Sequence, residues 1–159
     1  MIQNAPGHYH AKTPLAFLNA DHTDSLRMRV QPGNLSRVSL GISKFGKGLF
    51  ASETILTGSL ITTITGYPMH FEEAVSLGEK ESYPFQVGLT EYIAPTKNAI
   101  WQYINHSCDP NCGVNENLEI VAIRKIKIGE ELFYDYSTTM LERYWTMACQ
   151  CNSENCRGT

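Results

Sequence analysis

Residues 103–112 read YINHSCDPNC, a run of polar side chains that follows a short apolar segment. Asn105 and His106 could donate hydrogen bonds to a ligand and accept them from it. The same letters are also good turn chemistry, because Asn, Asp, Ser and Pro all favour turns. On these residues alone, a ligand site and a polar turn are equally well supported.

A second stretch, residues 129–137, reads GEELFYDYS. We expect a strand over residues 131–136, in which side chains alternate between the two faces. Phe133 and Asp135 would then face one way, and Tyr134 and Tyr136 the other. Two phenols on one face could line a narrow aromatic slot, although a packed sheet face whose hydroxyls reach solvent or a carbonyl is the simpler interpretation.

The C-terminal residues 149–158 read CQCNSENCRG and space three cysteines as C-x-C-x4-C. Three thiolates this close together can converge on one tetrahedral zinc ion. A structural zinc site needs four ligands, and the other cysteines of the chain are Cys108 and Cys112. The spacing therefore favours a zinc site over incidental thiols, and leaves the fourth ligand open between those two. A metal would fix a tail that has no apolar periodicity of its own.

Short apolar runs alternate with Gly and Pro from residue 26 onward, which predicts a mainly β domain. Residues 46–51 read GKGLFA, and closely spaced glycines let a backbone approach a ligand, although such a pair is a weak indication by itself. Residues 1–25 are expected to form a loosely structured arm. We expect strands over residues 35–42, 59–65, 85–89, 92–94, 118–123 and 131–136, and helices over residues 71–77 and 139–148.

The chain has 159 residues, enough for one domain with its own core. Its 42% hydrophobic content excludes a disordered chain, and it contains no apolar run long enough to span a membrane. The net charge is −3, and residues 105–159 carry all of it. A duplex-binding protein usually has a basic face, so we expect no direct nucleic-acid binding and a surface that tolerates a basic peptide.

The N-terminus lacks the basic segment and the apolar run of a secretory signal peptide. We therefore expect synthesis in a reducing compartment and a cytoplasmic location that is compatible with residence in the nucleus. In such a compartment the cysteines should be thiols or metal ligands rather than disulfides.

Taken together and in this order, GKGLFA, YINHSCDPNC, GEELFYDYS and CQCNSENCRG resemble the SET domain family of protein-lysine methyltransferases. The resemblance implies a SET domain at residues 26–145 and a post-SET zinc-binding tail at residues 146–159, and we expect no pre-SET module. It also implies a fold of several small curved β-sheets with short helices and a knot-like threaded C-terminal segment.

The same resemblance implies transfer of a methyl group from S-adenosylmethionine to the ε-amine of a lysine in a protein substrate, such as a histone or a ribosomal protein. Tyr136 matches the family's catalytic tyrosine, and Tyr134 matches the neighbouring channel position, where Tyr implies mono- or dimethylation. The residues that match cofactor-binding positions are Phe45, Gly46, Lys47, Tyr83, Asn105, His106 and Tyr136. The four zinc ligands are matched by Cys108, Cys149, Cys151 and Cys156. Cys112 is then a plain thiol, and the zinc takes no part in the chemistry.

Three features depart from the family pattern. Gln102 stands before the aromatic residue of the NHS motif, where many members carry Arg. Many members carry a tyrosine in the lysine channel where this chain has Ile64, and the chain stops at Thr159, before the aromatic residue that often covers the adenine. Trp101 and Trp145 are candidates for that cover, and a more open cofactor site is the other possibility. Two alternative functions stay open. One is a SET-like module that binds cofactor or peptide with little or no transfer, and the other is a zinc-stabilised interaction domain without a cofactor.

Overall fold

The computed structural model describes residues 36–78, 84–140 and 146–158 of the chain. The predicted N-terminal arm, Tyr83, Trp145 and the centre of the predicted helix at residues 139–148 lie outside the described residues. No helix within the described ranges is both long and apolar enough to cross a membrane. The domain boundaries after residues 25 and 145 stay predictions.

The motif GKGLFA forms the second strand of a β-hairpin. The paired antiparallel strands are β1 (Val38–Ser43) and β2 (Gly46–Ala51). Lys44 and Phe45 form the turn between them, and Gly46 has a φ of +103°, which L side chains rarely adopt. The turn is therefore tight, and its residues are exposed.

Two three-stranded antiparallel sheets contain most of the remaining β structure. The first is formed by β3 (Leu60–Thr63), β8 (Cys112–Val114) and β9 (Glu119–Ala122). The second is formed by β4 (Gly66–His70), β5 (Phe85–Gln86) and β6 (Glu91–Pro95). The central strands are β9 and β6. Among the described residues, one α-helix, α1 (Phe71–Gly78), follows β4 directly.

A short parallel pair joins two motifs that are far apart along the chain. Its strands are β7 (Asn105–His106) and β10 (Phe133–Tyr134). One 3₁₀ helix precedes β7 at Ile100–Tyr103, and another follows β10 at Tyr136–Thr138. The pairing places the YINHSCDPNC and GEELFYDYS segments side by side.

The core lies between the small sheets and consists mainly of aliphatic side chains. Leu49, Ile55, Ile104, Ile126 and Leu132 are among its fully buried members. Burying one such side chain stabilises the fold by about 1.5–3 kcal/mol. The Leu132 amide also donates a hydrogen bond to the Leu49 carbonyl at 2.8 Å, which fastens β2 to the segment that leads into β10.

The prediction of a mainly β fold with several small sheets is confirmed. Most predicted strands are shorter in the structure, β6 is longer than the predicted 92–94, and β2, β4, β7 and β8 were not predicted. The helix predicted over residues 71–77 is confirmed as α1. The predicted helix over residues 139–148 is not helical at its described ends, residues 139–140 and 146–148. The knot-like threading of the C-terminal segment stays a prediction.

The strand predicted over residues 131–136 differs most from the structure, because only Phe133 and Tyr134 pair as a strand. The chain leaves the sheet at Asp135, whose carboxylate accepts a hydrogen bond from the Ser137 amide at 3.1 Å. This contact caps the second 3₁₀ helix, which therefore begins where the sequence pattern predicted continued strand.

Asn111 holds the two motif segments together from inside the protein, where its side chain has 0% exposed surface. Its Oδ1 accepts a hydrogen bond from the Phe133 amide at 2.8 Å, and its Nδ2 donates to the Glu131 carbonyl at 2.7 Å. The backbone amide of Asn111 donates to the Phe133 carbonyl at 3.2 Å, so a main-chain hydrogen bond also links the two segments. Because buried polar groups need partners, both ends of this side chain fix the approach to β10.

Asn111→Ala is expected to destabilise the protein by about 2–4 kcal/mol, because the Phe133 amide and the Glu131 carbonyl lose a buried partner. Urea denaturation of the metal-loaded protein measures the free energy of unfolding. The exposed Asn117 offers a control, since Asn117→Ala should change that free energy by less than about 0.5 kcal/mol. Equal stability of the two variants would contradict the role of Asn111.

Candidate active site and metal centre

Tyr136 is held by contacts with His106, in β7, and with Ile104, the residue that precedes β7. Its hydroxyl donates a hydrogen bond to the Ile104 carbonyl at 3.0 Å. Its backbone amide donates to Nδ1 of His106 at 3.2 Å, and the two rings lie 5.2 Å apart between centroids. Since the hydroxyl proton is directed at Ile104, the phenol oxygen can act towards a ligand as a hydrogen-bond acceptor.

Tyr134 packs beside Tyr136, with ring centroids 4.7 Å apart, and its ring also lies 6.3 Å from that of Phe85. Desolvation by burial raises the pKa of the Tyr134 phenol, and the neighbouring Tyr136 raises it further. Tyr134 is therefore neutral at physiological pH. The structure brings together the two phenols that the alternation placed on one face, although Tyr136 lies in a 3₁₀ helix rather than in the strand.

Glu131 connects the hairpin to the β7–β10 pair. Its Oε1 accepts a hydrogen bond from Nδ2 of Asn105 at 2.8 Å, and its Oε2 accepts one from the Ser43 hydroxyl at 2.8 Å. Nδ2 of Asn105 also donates to the Lys47 carbonyl at 3.0 Å. A Cβ on Gly48 would lie only 2.5 Å from Oε1 of Glu131, so glycine leaves the room that this carboxylate occupies. Asn105 is thereby fixed beside the hairpin turn.

The turn residues border the same region. Phe45 packs edge-to-face against Phe133, with ring centroids 6.3 Å apart. A Cβ on Gly46 would meet nothing within 4 Å, so this part of the turn is open to a ligand. Of the residues predicted to bind a cofactor, Phe45, Gly46, Lys47 and Asn105 therefore lie around the β7–β10 pair.

His106 stands between the two tyrosines and the cysteines. Its Nδ1 accepts the Tyr136 amide proton, which places the ring proton of the neutral imidazole on Nε2. Nε2 lies 3.4 Å from Sγ of Cys108, and Nδ1 lies 3.7 Å from Oδ1 of Asp135. Desolvation by burial lowers the pKa of His106 and outweighs the opposing effect of the Asp135 charge. The imidazole is therefore neutral at pH 7 and can donate a hydrogen bond to the Cys108 sulfur.

Four cysteine sulfurs converge beside this histidine. The Sγ atoms of Cys108, Cys149, Cys151 and Cys156 all lie within 4.8 Å of one another. Four zinc bonds of about 2.3 Å in a tetrahedron would separate the sulfurs by about 3.8 Å. The Sγ atoms of Cys108 and Cys149 lie 3.7 Å apart. Four thiols at these separations fit a structural zinc ion.

Cys112 is placed differently, although the spacing left it open as a fourth ligand. Its thiol is buried and donates a hydrogen bond to Oδ1 of Asn111 at 3.3 Å. Burial raises the pKa of Cys112 to about 12, so its thiol stays protonated at physiological pH. The structure therefore places Cys108 in the cluster and Cys112 in the core, as the family resemblance implied.

Of the three aromatic residues named from the sequence near the cofactor, the structure describes Trp101. Tyr83 and Trp145 lie outside the described residues. Trp101 is only 4% exposed, and its indole donates a hydrogen bond to the Thr65 carbonyl at 3.0 Å. Trp101 is thus a core residue and offers no face to an adenine. Ile64 is likewise in the core, with 2% of its surface exposed.

Sequence reasoning missed Glu131 and Asn111 as residues that organise the site. The partners of the Glu131 carboxylate lie 26 and 88 positions away along the chain, at Asn105 and Ser43. A carboxylate or an amide in a polar segment carries no local indication of such distant partners. The only available indication was the dense run of hydrogen-bonding side chains in both motifs.

Comparison with known proteins gives a family match. A model of the SET domain matches residues 46–137. The chain is similar to the "Histone-lysine N-methyltransferase, H3 lysine-4 specific" of Aspergillus oryzae, at 30% identity over 85% of this chain and 12% of that protein. It is also similar to histone-lysine N-methyltransferase set1 of Dictyostelium discoideum, at 35% identity over 70% of this chain and 8% of that protein. The chain thus spans a small part of the length of these curated relatives.

Solved structures show the same likeness. Chaetomium thermophilum Polycomb Repressive Complex 2 bound to GSK126 matches with a TM-score of 0.54 and 29% identity, over 65% of this chain and 16% of that chain. The structure of ctPRC2 in an autoinhibited conformation bound to S-adenosylmethionine matches with a TM-score of 0.54 and 30% identity, over 66% of this chain and 16% of that chain.

The cysteine cluster is expected to hold about one zinc ion per chain. Cys149→Ser should lower the bound zinc well below that value and lower the melting temperature, because one of four sulfur ligands is lost. The matched control is Cys112→Ala, which removes a cysteine outside the cluster and should keep the zinc. A colorimetric zinc indicator, added after the thiols are blocked, measures the metal content. Wild-type zinc content in the Cys149→Ser protein would contradict the assignment.

Proposed function

The chain belongs to the SET domain family, and on that premise we propose that it transfers a methyl group from S-adenosylmethionine to the ε-amine of a lysine in a protein substrate. The position of Tyr136 carries the proposal. Its hydroxyl is oriented by the Ile104 carbonyl, and its ring lies beside Tyr134 and His106. The names of the similar proteins, which are histone-lysine methyltransferases, support the same reaction.

Residues of the hairpin turn and of β7 would hold the cofactor. When bound, S-adenosylmethionine supplies the methyl group from a positively charged sulfonium. Phe45, Gly46 and Lys47 are exposed, and the open position at Gly46 allows close approach. Because Nδ2 of Asn105 already donates to Glu131 and Lys47, Asn105 contributes its Oδ1 as an acceptor. His106 forms the side of the site next to Tyr136.

The two tyrosines would prepare the substrate amine. A lysine must attack as a neutral amine, although its ordinary pKa is about 10.4. A slot walled by Tyr134 and Tyr136 disfavours the charged ammonium, in the same desolvated surroundings that raise the pKa of Tyr134. The Tyr136 oxygen accepts a hydrogen bond from the amine and so orients it, and the amine releases its proton to solvent. The same oxygen offers partial negative charge where positive charge is present in the transition state.

Tyr134 would limit the number of methyl groups that the product carries. Its ring lies 4.7 Å from that of Tyr136 between centroids, and its hydroxyl would take up room in the slot, so a lysine that already bears methyl groups would fit less well. This predicts mono- or dimethylation. Isoleucine has no hydroxyl, so residue 64 supplies none to the slot, and the Ile64 side chain lies in the core.

Zinc at the cysteine cluster would be structural, because four thiolates fill its coordination sphere and leave no open position. Cys108 follows His106 by two positions, so the metal would fasten the tail directly beside the candidate active site. The residues assigned to methyl transfer contribute none of the four sulfurs.

The proposed substrate is a lysine within a basic protein segment, and histone H3 is the first candidate. The relatives carry histone-lysine specificity in their names, and residues 105–159 of this chain carry the whole net charge of −3. An acidic surface attracts a basic segment. We further propose a cytoplasmic location that is compatible with access to nuclear histones.

The test is transfer of label from S-adenosylmethionine into mixed core histones and into basic ribosomal proteins. Tyr136→Phe should lower transfer by at least about a hundredfold, because it removes the atom that orients the amine. Tyr134→Phe is the matched control, since it also removes a single hydroxyl. It should retain transfer and shift the product towards higher methylation states, as read by mass spectrometry.

Equal transfer by wild type and Tyr136→Phe would contradict the assignment of Tyr136. Cofactor binding by wild type without label on any of these proteins would favour a SET-like binding module. Failure of S-adenosylmethionine to raise the melting temperature would favour a zinc-stabilised interaction domain.

Gly48→Ala should weaken the binding of S-adenosylmethionine by about tenfold or more, because a Cβ there displaces the Glu131 carboxylate that holds Asn105. Isothermal titration calorimetry measures the dissociation constant. Gly113→Ala is the control, because its Cβ would meet one γ-methyl carbon of the half-exposed Ile123, at 2.9 Å, and no atom of Glu131. Equal affinity of the two variants would contradict the link from Glu131 through Asn105 to the cofactor.

A further inference from the structure

Arg157 makes a bidentate contact with Asp135 that neither the cofactor site, the lysine slot nor the cysteine cluster explains. Its two terminal nitrogens lie 2.8 Å from Oδ2 and 2.6 Å from Oδ1 of that carboxylate. The Asp135 side chain is 12% exposed, and that of Arg157 is 44% exposed. A planar guanidinium that meets both oxygens of a carboxylate fixes orientation as well as distance.

Asp135 is also the residue that starts the 3₁₀ helix containing Tyr136. Its Oδ1 accepts hydrogen bonds from the Ser137 amide at 3.1 Å and from the Ser137 hydroxyl at 2.9 Å. Its carbonyl accepts from the Thr138 amide at 3.1 Å. The position of the Asp135 carboxylate therefore sets the first turn of that helix, and with it the direction in which Tyr136 leaves β10.

The other end of the contact belongs to the cysteine cluster. Arg157 follows Cys156, and its backbone amide donates to Sγ of Cys108 at 3.4 Å. Nε2 of His106 also lies 3.4 Å from that sulfur, while Nδ1 of His106 accepts the Tyr136 amide proton. Two separate connections thus run from the Cys108 sulfur to the backbone of Tyr136.

We propose that Arg157 and Asp135 are positioning residues that make the orientation of Tyr136 depend on the metal-held tail. A partly exposed ion pair contributes little on its own, because ordering a long side chain offsets most of the attraction. The pair orients Asp135 only if the Arg157 backbone is already fixed. In this chain the cysteine sulfurs and the metal that fits them would fix it. The consequence for catalysis rests on the function proposed above, whereas the coupling itself does not.

The first experiment measures hydrogen exchange of single backbone amides by NMR in the zinc-loaded protein. Arg157→Met removes the guanidinium and should speed exchange of the Tyr136 and Ser137 amides by about tenfold or more, because local opening becomes easier. Arg157→Lys keeps the charge without the fork and should give an intermediate rate. The amide of Ile126, which pairs with the Ile55 carbonyl in the core, should not change.

Two further variants complete the design. Asp135→Asn keeps an oxygen that can cap Ser137 but loses the carboxylate, so it should speed exchange of the Tyr136 amide and serves if the arginine variants fold poorly. Arg37→Met breaks the ion pair with Glu53 on the hairpin side and is the matched control, expected to leave the Tyr136 and Ser137 amides as in wild type. Zinc content should stay at the wild-type value in all of these variants.

The second experiment measures steady-state transfer to core histones. Arg157→Met should lower kcat by about tenfold, because a small displacement of an orienting group is costly in rate. KM for S-adenosylmethionine should stay within about threefold of wild type, because Arg157 contacts none of the proposed cofactor residues. Arg157→Lys should recover part of kcat.

Unchanged exchange at Tyr136 and Ser137 in both Arg157→Met and Asp135→Asn would overturn the proposal. Loss of zinc from Arg157→Met would also overturn it, because Arg157 would then support the cluster and not the helix. If the variants show the expected exchange pattern but the wild-type protein transfers no methyl group, the coupling is supported and the proposed function is overturned. The two failures are therefore distinguishable.

Discussion

The buried amide of Asn111 is the contact on which the rest of the site depends. It satisfies the Phe133 amide and the Glu131 carbonyl at once, in a place that is closed to water. Losing either bond would leave a buried polar group without its partner, so the approach to β10 can adopt few alternatives. β10 in turn pairs with β7, and this pairing brings His106 next to Tyr134. The site is assembled by hydrogen bonds between two polar segments, and the aliphatic core serves as its support.

The C-terminal tail obeys a different constraint. The described residues 146–158 contribute no side chain to the hydrophobic core, so apolar burial cannot hold them. Four sulfurs at separations suited to one zinc ion can do so, because metal binding supplies folding free energy directly. Lys44 adds a second anchor, since its ammonium donates to the Gln150 and Cys151 carbonyls at 3.1 and 3.2 Å. The tail therefore meets both the hairpin turn and the segment that contains His106, which are the two sides of the proposed cofactor site.

Both local chemistry and contacts with distant residues determine the position and surroundings of Tyr136. Desolvation keeps the neighbouring Tyr134 neutral, and the Ile104 carbonyl orients the Tyr136 hydroxyl. The end of the strand at Asp135 turns Tyr136 into a 3₁₀ helix while its ring stays next to Tyr134. The alternation of side chains along a strand correctly predicted that Tyr134 and Tyr136 are neighbours, although only Tyr134 lies in the strand. The strand ends early because a carboxylate caps the next turn, and periodicity of apolar residues does not report such a cap.

The sequence by itself determined the mainly β character and the spacing of three cysteines suited to zinc, because these follow from short-range patterns of residue type. The order of the four motifs also identified the family that the comparison confirms. The cysteine spacing left the fourth ligand open and the family resemblance implied Cys108, whereas the tertiary structure places Cys108 in the cluster and buries Cys112 against Asn111. Only the tertiary structure decided that Trp101 belongs to the core. Cys108 and Cys112 lie four positions apart in one polar segment, so residue type and spacing do not distinguish the roles of the two thiols. What separates them is which elements pack on each, and that depends on residues far away along the chain.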